Sequence, residues 1–197
     1  MINKNTISAF VLCGGKSSRM GTEKGFVNYK GNSFIEWSIK AIEPFTSNIK
    51  LVTGNKDYEQ FPYPLLKDDI EEKGPAGAIF TALKTNTSDW NLFLSCDMPG
   101  ILPWIIEYLI TNADPQASVS FLNEAGRDYP LAGLYHQKCL PVFSEAIKKG
   151  NLRLMKILEK VDFKRVEMPA SQKRFLNNVN TKEELEHLIN TQHEDSL

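Results

Sequence analysis

The stretch Ile7-Ser8-Ala9-Phe10-Val11-Leu12-Cys13-Gly14-Gly15-Lys16-Ser17-Ser18-Arg19-Met20-Gly21-Thr22-Glu23-Lys24 decides how the chain folds. Ile7 to Leu12 is a short, nearly unbroken apolar run, the pattern of a strand covered on both faces. It empties directly into bare glycine backbone followed by Lys16, Arg19 and Lys24. Glycine lets the main chain approach phosphate oxygens and turn successive N–H groups inward, while the cations supply charge, so the loop suits a triphosphate. A glycine turn with solvated charges is the ligand-free reading of the same residues. Two other phosphate motifs are excluded. Phe10 stands where a P-loop ending in Gly15-Lys16-Ser17 requires its first glycine, and the spacing of Gly14, Gly15 and Gly21 is not that of a dinucleotide fingerprint.

Further apolar runs rich in β-formers follow at Ile49 to Val52, Leu65 to Leu66, Leu92 to Ser95, Val119 to Leu122, Leu131 to Tyr135 and Phe163 to Met168. Helical patterns separate most of them. Ser33 with Glu36 forms a capping box ahead of Ile35, Ile39 and Ile42, which share a helix face that Pro44 closes. Pro75 and Pro103 sit where a first helical turn tolerates proline, and Lys148-Lys149-Gly150 reads as a helix end. Thr181 with Glu184 is a second capping box, ahead of Leu185, Leu188 and Ile189. Strands alternating with helices predict an α/β fold of three layers, Rossmann-like, with a mostly parallel sheet and helices on both faces. Asn123 to Tyr129 is too short for a crossover helix and predicts one antiparallel hairpin.

At 197 residues and 42% hydrophobic, the chain is sized for one core, and residues 1–197 read as a single domain with a frayed tail at 191–197. Lys plus Arg (23) against Asp plus Glu (24) gives a formal charge of -1, which lacks the electrostatic footprint of a nucleic-acid-binding protein. Cys13, Cys96 and Cys139 are an odd number, lie far apart and form no Cys-x-x-Cys pair, as expected in a reducing cytoplasm. No uncharged apolar run approaches the roughly 20 residues that span a bilayer, so no membrane segment is expected. His136, His187 and His193 have no ligand spacing, and Trp37, Trp90 and Trp104 fall in or beside predicted elements.

Beyond the glycine loop, Leu94-Ser95-Cys96-Asp97-Met98-Pro99 places one carboxylate where a strand ends. Magnesium accepts one or two carboxylates completed by phosphate oxygens and water, so Asp97 beside a triphosphate is a candidate ligand. Capping the helix near Pro103 is its structural alternative. Thr53-Gly54-Asn55 and the run Asp68 to Gly77 also fall at strand ends. Asp68, or its neighbour Asp69, offers a carboxylate that could accept hydrogen bonds from the N–H groups of a ligand, whereas turn chemistry alone explains Gly54 and Asn55 equally well.

The pattern Leu-x-Gly-Gly-x-x-x-Arg-Met-Gly-x-x-Lys from Leu12 to Lys24 resembles the opening of the molybdenum cofactor guanylyltransferases, the molybdopterin-guanine dinucleotide synthesis protein A family. It resembles less closely the molybdopterin cytidylyltransferases and the sugar-phosphate nucleotidyltransferases. Cys13 stands for the usual alanine, Glu23 for the usual aspartate, and Thr53 where some members carry asparagine. The resemblance implies transfer of GMP from GTP to the terminal phosphate of molybdopterin, with pyrophosphate released and Mg2+ as cofactor. It implies a nucleotide-binding half at about 6–100, with Leu12, Cys13, Gly14, Gly15, Thr53, Asn55, Asp68 and Asp97 along the nucleotide. Lys24 and Arg19 would hold its phosphates, and Asp97 the metal. It implies an acceptor half at about 101–190. There Asn177-Asn178-Val179-Asn180-Thr181 resembles the family ending, giving Asn178 and Asn180 as pterin contacts and Arg153 as a contact of the acceptor phosphate. Molybdenum-insertion proteins and molybdoenzyme chaperones are the implied partners. A cytidylyl or sugar-phosphate transferase, or a nucleotide-binding regulatory module without turnover, are the rival readings. Retention of both Lys24 and Asp97 speaks against the last.

Overall fold

The apolar run Ile7 to Leu12 becomes a strand, β1 (Ile7–Leu12), buried along its whole length in a computed structural model that describes residues 2, 6–14, 23–67, 74–169 and 175–191. A small hairpin, β2 (Asn28–Tyr29) and β3 (Asn32–Ser33), then leads into α1 (Phe34–Ile42). The core continues through β4 (Ile49–Val52), β5 (Leu65–Leu66), α2 (Gly74–Thr85), β6 (Trp90–Ser95) and α3 (Pro103–Asn112). The remainder is β7 (Val119–Glu124), β8 (Arg127–His136), α4 (Leu140–Lys148), α5 (Leu154–Leu158), β9 (Phe163–Glu167) and α6 (Lys182–Thr191).

The main sheet has the order β5-β4-β1-β6-β8-β7-β9. Only β8 opposes the rest: it runs antiparallel to β6 and β7, while the other neighbouring pairs are parallel. The hairpin expected at Asn123 to Tyr129 is the β7–β8 turn, where Ala125 and Gly126 adopt positive φ. The alternation of β1 sorts its side chains between two cores. Ile7, Ala9 and Val11 join Ile35, Ile39 and Ile42 of α1 and Ile105, Ile106 and Leu109 of α3 on one face. Phe10 and Leu12 join Ile79 and Leu83 of α2 and Phe143 and Ile147 of α4 on the other. The result is the expected three-layer arrangement.

The β2–β3 hairpin and the short helix α5 were not foreseen. The β2–β3 hairpin is too short to show a period, and its turn carries Lys30 and Gly31 at positive φ in place of the commoner Asn-Gly pair. Helix α5 has only 5 residues. Both predicted capping boxes form. At α1 the Ser33 N–H donates to the Glu36 carboxylate at 2.6 Å. At α6 the Thr181 N–H donates to Glu184 and the Glu184 N–H donates to Thr181 Oγ1, each at 3.2 Å. A third, smaller core of Tyr29, Phe34, Val179 and Leu188 docks α6 against α1. No helix among the described residues is long and apolar enough to cross a membrane.

Candidate active site

Strand register assembles the site. Leu12 pairs with Val52 on one side and Ser95 on the other, so Cys13-Gly14, Thr53-Gly54-Asn55 and Cys96-Asp97 emerge together at the carboxyl edge of the parallel strands, where open α/β sheets bind ligands. The Cys96 N–H still donates to the Leu12 carbonyl at 3.2 Å, which makes Asp97 the first residue beyond the sheet. Helix α3 starts at Pro103 with Leu102 as its N-cap. Asp97 is therefore not a helix cap, and that alternative falls.

Lys24 and Asp97 meet. The Lys24 Nζ lies 3.0 Å from Asp97 Oδ2, with the two side chains only 18% and 14% exposed. The same ammonium donates to Asn180 Oδ1 at 2.7 Å, and Asn178 Nδ2 donates to Asp97 Oδ1 at 2.9 Å. The Val179 N–H closes the arrangement by donating to the Asp97 peptide carbonyl at 2.8 Å. Residues expected to serve the nucleotide and residues expected to serve the acceptor thus form one cluster.

Each side of the cluster has its own anchor. The Thr181–Glu184 box and the docking of Val179 and Leu188 hold the Asn178–Asn180 segment. Lys24 opens a 3-10 turn, Lys24–Phe26, that rests on the buried Tyr58. Phe26 stacks on the Tyr58 ring with centroids 4.6 Å apart, and the Tyr58 hydroxyl donates to Glu23 Oε1 at 3.0 Å. Burial, reinforced by the neighbouring Cys96 and Cys13 thiols and Glu23, pushes the Tyr58 hydroxyl well above its ordinary range, so it remains a donor. A Cβ on Gly25 would lie 2.1 Å from Tyr58 Oη and 2.8 Å from its ring. We therefore expect Gly25→Ala to destabilise the protein by about 1–3 kcal/mol through overpacking and to lower activity by shifting Lys24. Urea unfolding and steady-state turnover measure the two effects, and an unchanged midpoint would remove Tyr58 as the support of this turn.

The other expected contacts sort differently. Leu12 is buried, and Gly14 is exposed with open space around its Cα. Cys13 turns its side chain into the core, where its thiol donates to the Val11 carbonyl at 3.4 Å. Burial first, and Cys96 beside it, push that thiol well above its usual range. Only the backbone of Cys13 is available to a ligand in this arrangement. Thr53 is buried and its hydroxyl accepts the Asn55 N–H at 3.1 Å. Asn55 accepts the Asp57 N–H at 2.9 Å and so caps a 3-10 turn, Lys56–Gln60. Arg153 is exposed at the N-cap of α5, and no hydrogen bond or ion pair among the described residues joins it to the Lys24–Asp97 cluster. Gly15, Arg19, Asp68 and Asp69 lie outside the described residues.

Sequence reading missed the Glu23–Tyr58–Gly25 support, because Tyr58 sits in a polar stretch with no helical or strand period. It also missed Glu124, 7% exposed at the end of β7, whose Oε1 has no hydrogen-bond partner among the described residues. His136 accepts the Lys138 N–H and packs edge-on against Trp90, a structural role in keeping with its expected reading.

Among the described residues no group of three or more His, Cys, Asp or Glu could hold a metal ion. Within the cluster of Lys24, Asp97, Asn178 and Asn180, Asp97 supplies the anionic oxygen donor, beside the neutral amide oxygens of the two asparagines. That donor set suits magnesium shared with substrate phosphates and does not suit a dedicated protein cage or a soft transition metal.

A doubly covered, mostly parallel sheet, with Cys13-Gly14, a lysine and a carboxylate converging at its carboxyl edge, defines a nucleotidyltransferase-type domain. A MobA-like NTP transferase domain matches residues 9–166, and the chain belongs to that family. It is 39% identical over 183 residues to a probable molybdenum cofactor guanylyltransferase of Flavobacterium johnsoniae, covering 93% of this chain and 96% of the relative. A probable molybdenum cofactor guanylyltransferase of Aquifex aeolicus is 32% identical over 186 residues, covering 92% and 90%. Among solved structures, the molybdopterin-guanine dinucleotide biosynthesis protein A of Archaeoglobus fulgidus superposes with a TM-score of 0.76 over 95% of this chain and 99% of that one. At 21% identity it shows the fold alone.

Proposed function

We propose that this protein transfers GMP from GTP to the terminal phosphate of a molybdopterin-type molybdenum cofactor, releasing pyrophosphate and using Mg2+. The observation that carries the reading is the Lys24–Asp97 pair bonded to Asn178 and Asn180, since a GMP transferase must bring nucleotide and acceptor groups to one point. The near full-length relatives named as guanylyltransferases support the same activity.

In this scheme the acceptor phosphate attacks the α-phosphorus of GTP in line. A phosphate monoester loses its second proton near a pKa of about 6, so the nucleophile is charged at neutral pH and no general base is required of the protein. Lys24 and Arg19 hold the triphosphate and bear the charge of the departing pyrophosphate. The backbone from Leu12 to Gly15 follows the nucleotide, and Thr53 and Asn55 border its nucleoside end. Asn178, Asn180 and Arg153 serve the pterin and its phosphate. Asp97 would hold magnesium, which when bound neutralises charge on the phosphates. Catalysis then rests on positioning and electrostatics. The cytoplasm is the proposed setting, consistent with free, buried Cys13, Cys96 and Cys139. The proposed partners are proteins that insert molybdenum or receive the finished cofactor.

The doubled Gly14-Gly15 and the guanine-compatible carboxylate of Asp68 give a nucleotide prediction. Pyrophosphate release measured with each nucleoside triphosphate, with and without molybdopterin, should show GTP preferred over CTP and ATP. Equal use of CTP would move the protein to the cytidylyl branch.

A further inference from the structure

The Asp97 carboxylate has both of its oxygens engaged. Oδ2 accepts from the Lys24 ammonium at 3.0 Å and Oδ1 from the Asn178 amide at 2.9 Å, while the Val179 N–H on the Asp97 carbonyl keeps the peptide itself from turning. A carboxylate ligates a divalent cation through an oxygen turned toward it, and an ammonium seated on that oxygen opposes the cation by direct charge repulsion. The two donors differ in what can remove them. Asn178 is neutral and lies in a segment fixed by the α6 capping box. Lys24 is a charged point on a flexible stem, already shared with Asn180 at 2.7 Å, and triphosphate oxygens compete for it directly.

We infer that Lys24 is the resident counter-ion of the ligand-free site, blocking a divalent cation from Asp97 until a triphosphate draws the ammonium away, and that Asn178 is a positioning residue that stays on Oδ1 so that Oδ2 is the oxygen released. Asn180 gives the ammonium a second acceptor beside Asp97. Nucleotide and cation then bind with positive coupling, and the coupling is reciprocal. The inference rests on the proposed function for the identity of the ligands, a nucleoside triphosphate and Mg2+, and deepens it by giving an order to their arrival. It also assigns Asn178 a task at the reaction centre in addition to the pterin contact proposed for it.

The test measures Mn2+ binding as a stand-in for Mg2+, by calorimetry or electron paramagnetic resonance, on the full chain with and without an α,β-methylene analogue of GTP. The wild-type complex with the analogue should bind Mn2+ at least about tenfold more tightly than either wild type alone or the free analogue, whose own phosphates chelate the ion, within the usual range of coupling between two ligands. Lys24→Met should bind Mn2+ without nucleotide at least about tenfold more tightly than wild type without nucleotide, because the opposing ammonium is gone. Lys24→Arg, which restores a cation on Asp97, should return toward wild type. Asn178→Ala should weaken Mn2+ in the analogue complex by about tenfold, the cost of losing a group that orients a metal ligand, while leaving affinity for the metal-free analogue unchanged. A gain of affinity in Lys24→Met cannot come from misfolding, and circular dichroism melts verify the other variants. If Lys24→Met binds Mn2+ no more tightly than wild type without nucleotide, or the wild-type analogue complex binds it no more tightly than the free analogue does, the counter-ion role is overturned. If wild type instead releases no pyrophosphate from GTP and molybdopterin, the guanylyl reading fails, and the nucleotide-free Mn2+ comparison still decides the role of Lys24.

Discussion

Lys24→Ala is expected to lower transferase turnover by at least about a hundredfold with the fold intact, since deleting one transition-state charge contact costs on the order of 3 kcal/mol. The fold should survive because Lys24 contributes nothing to the three apolar cores. Its own turn is fixed by neighbours, with Gly25 against Tyr58 and Phe26 stacked on the same ring. The loss should appear mainly in kcat, because the charge on the leaving pyrophosphate develops only as the bond to the α-phosphorus breaks. Binding of GTP should weaken less, since Arg19 and the loop amides remain. Steady-state pyrophosphate release, paired with a thermal melt, measures both halves of this expectation. Near-normal turnover in a well-folded variant would rule out Lys24 as the phosphate cation and take the proposed mechanism with it.

The architecture was legible because its signals are local. Ile7 to Leu12 is apolar on both faces and becomes a strand buried on both faces. Ser33 with Glu36 and Thr181 with Glu184 carry their partners within one helical turn. The segment between Asn123 and Tyr129 could only be a tight turn, and it is one. The site was legible only as a set of separate residues. Lys24 and Asn180 stand 156 positions apart, and Asn178 and Asp97 stand 81 apart. No periodicity carries such pairings, which arise from the strand order of the sheet and from the docking of α6 on α1. Tyr58 illustrates the same limit. Nothing in Lys56 to Gln60 marks one tyrosine as the buried post under the Lys24 turn, because its partners Glu23 and Gly25 come from a different loop. Asn55 shows the reverse case, in which the ordinary turn chemistry of an asparagine is realised as the cap of a 3-10 turn.

Asp97→Asn is expected to lower activity at limiting magnesium by at least about tenfold, the scale of losing a group that governs a bound metal, with part of that loss recovered as magnesium is raised. The substitution keeps the size of the side chain but removes the charge that would neutralise a cation. It also meets a conflict specific to this structure, since Lys24 donates to one oxygen of Asp97 and Asn178 to the other. An amide accepts through its oxygen alone, so asparagine satisfies one of these donors and turns its own NH2 toward the second. The ammonium of Lys24 thereby loses the counter-charge at position 97, and GTP should still bind, because no carboxylate there competes with the triphosphate for it. Nucleotide binding is accordingly expected to fall less than catalysis. Were Asp97 merely structural, asparagine would leave the magnesium requirement where it stands in wild type. A magnesium titration of both proteins under saturating GTP reads the difference directly. Curves that overlap in midpoint and plateau would refute the metal role of Asp97, and a variant curve shifted to higher magnesium would establish it.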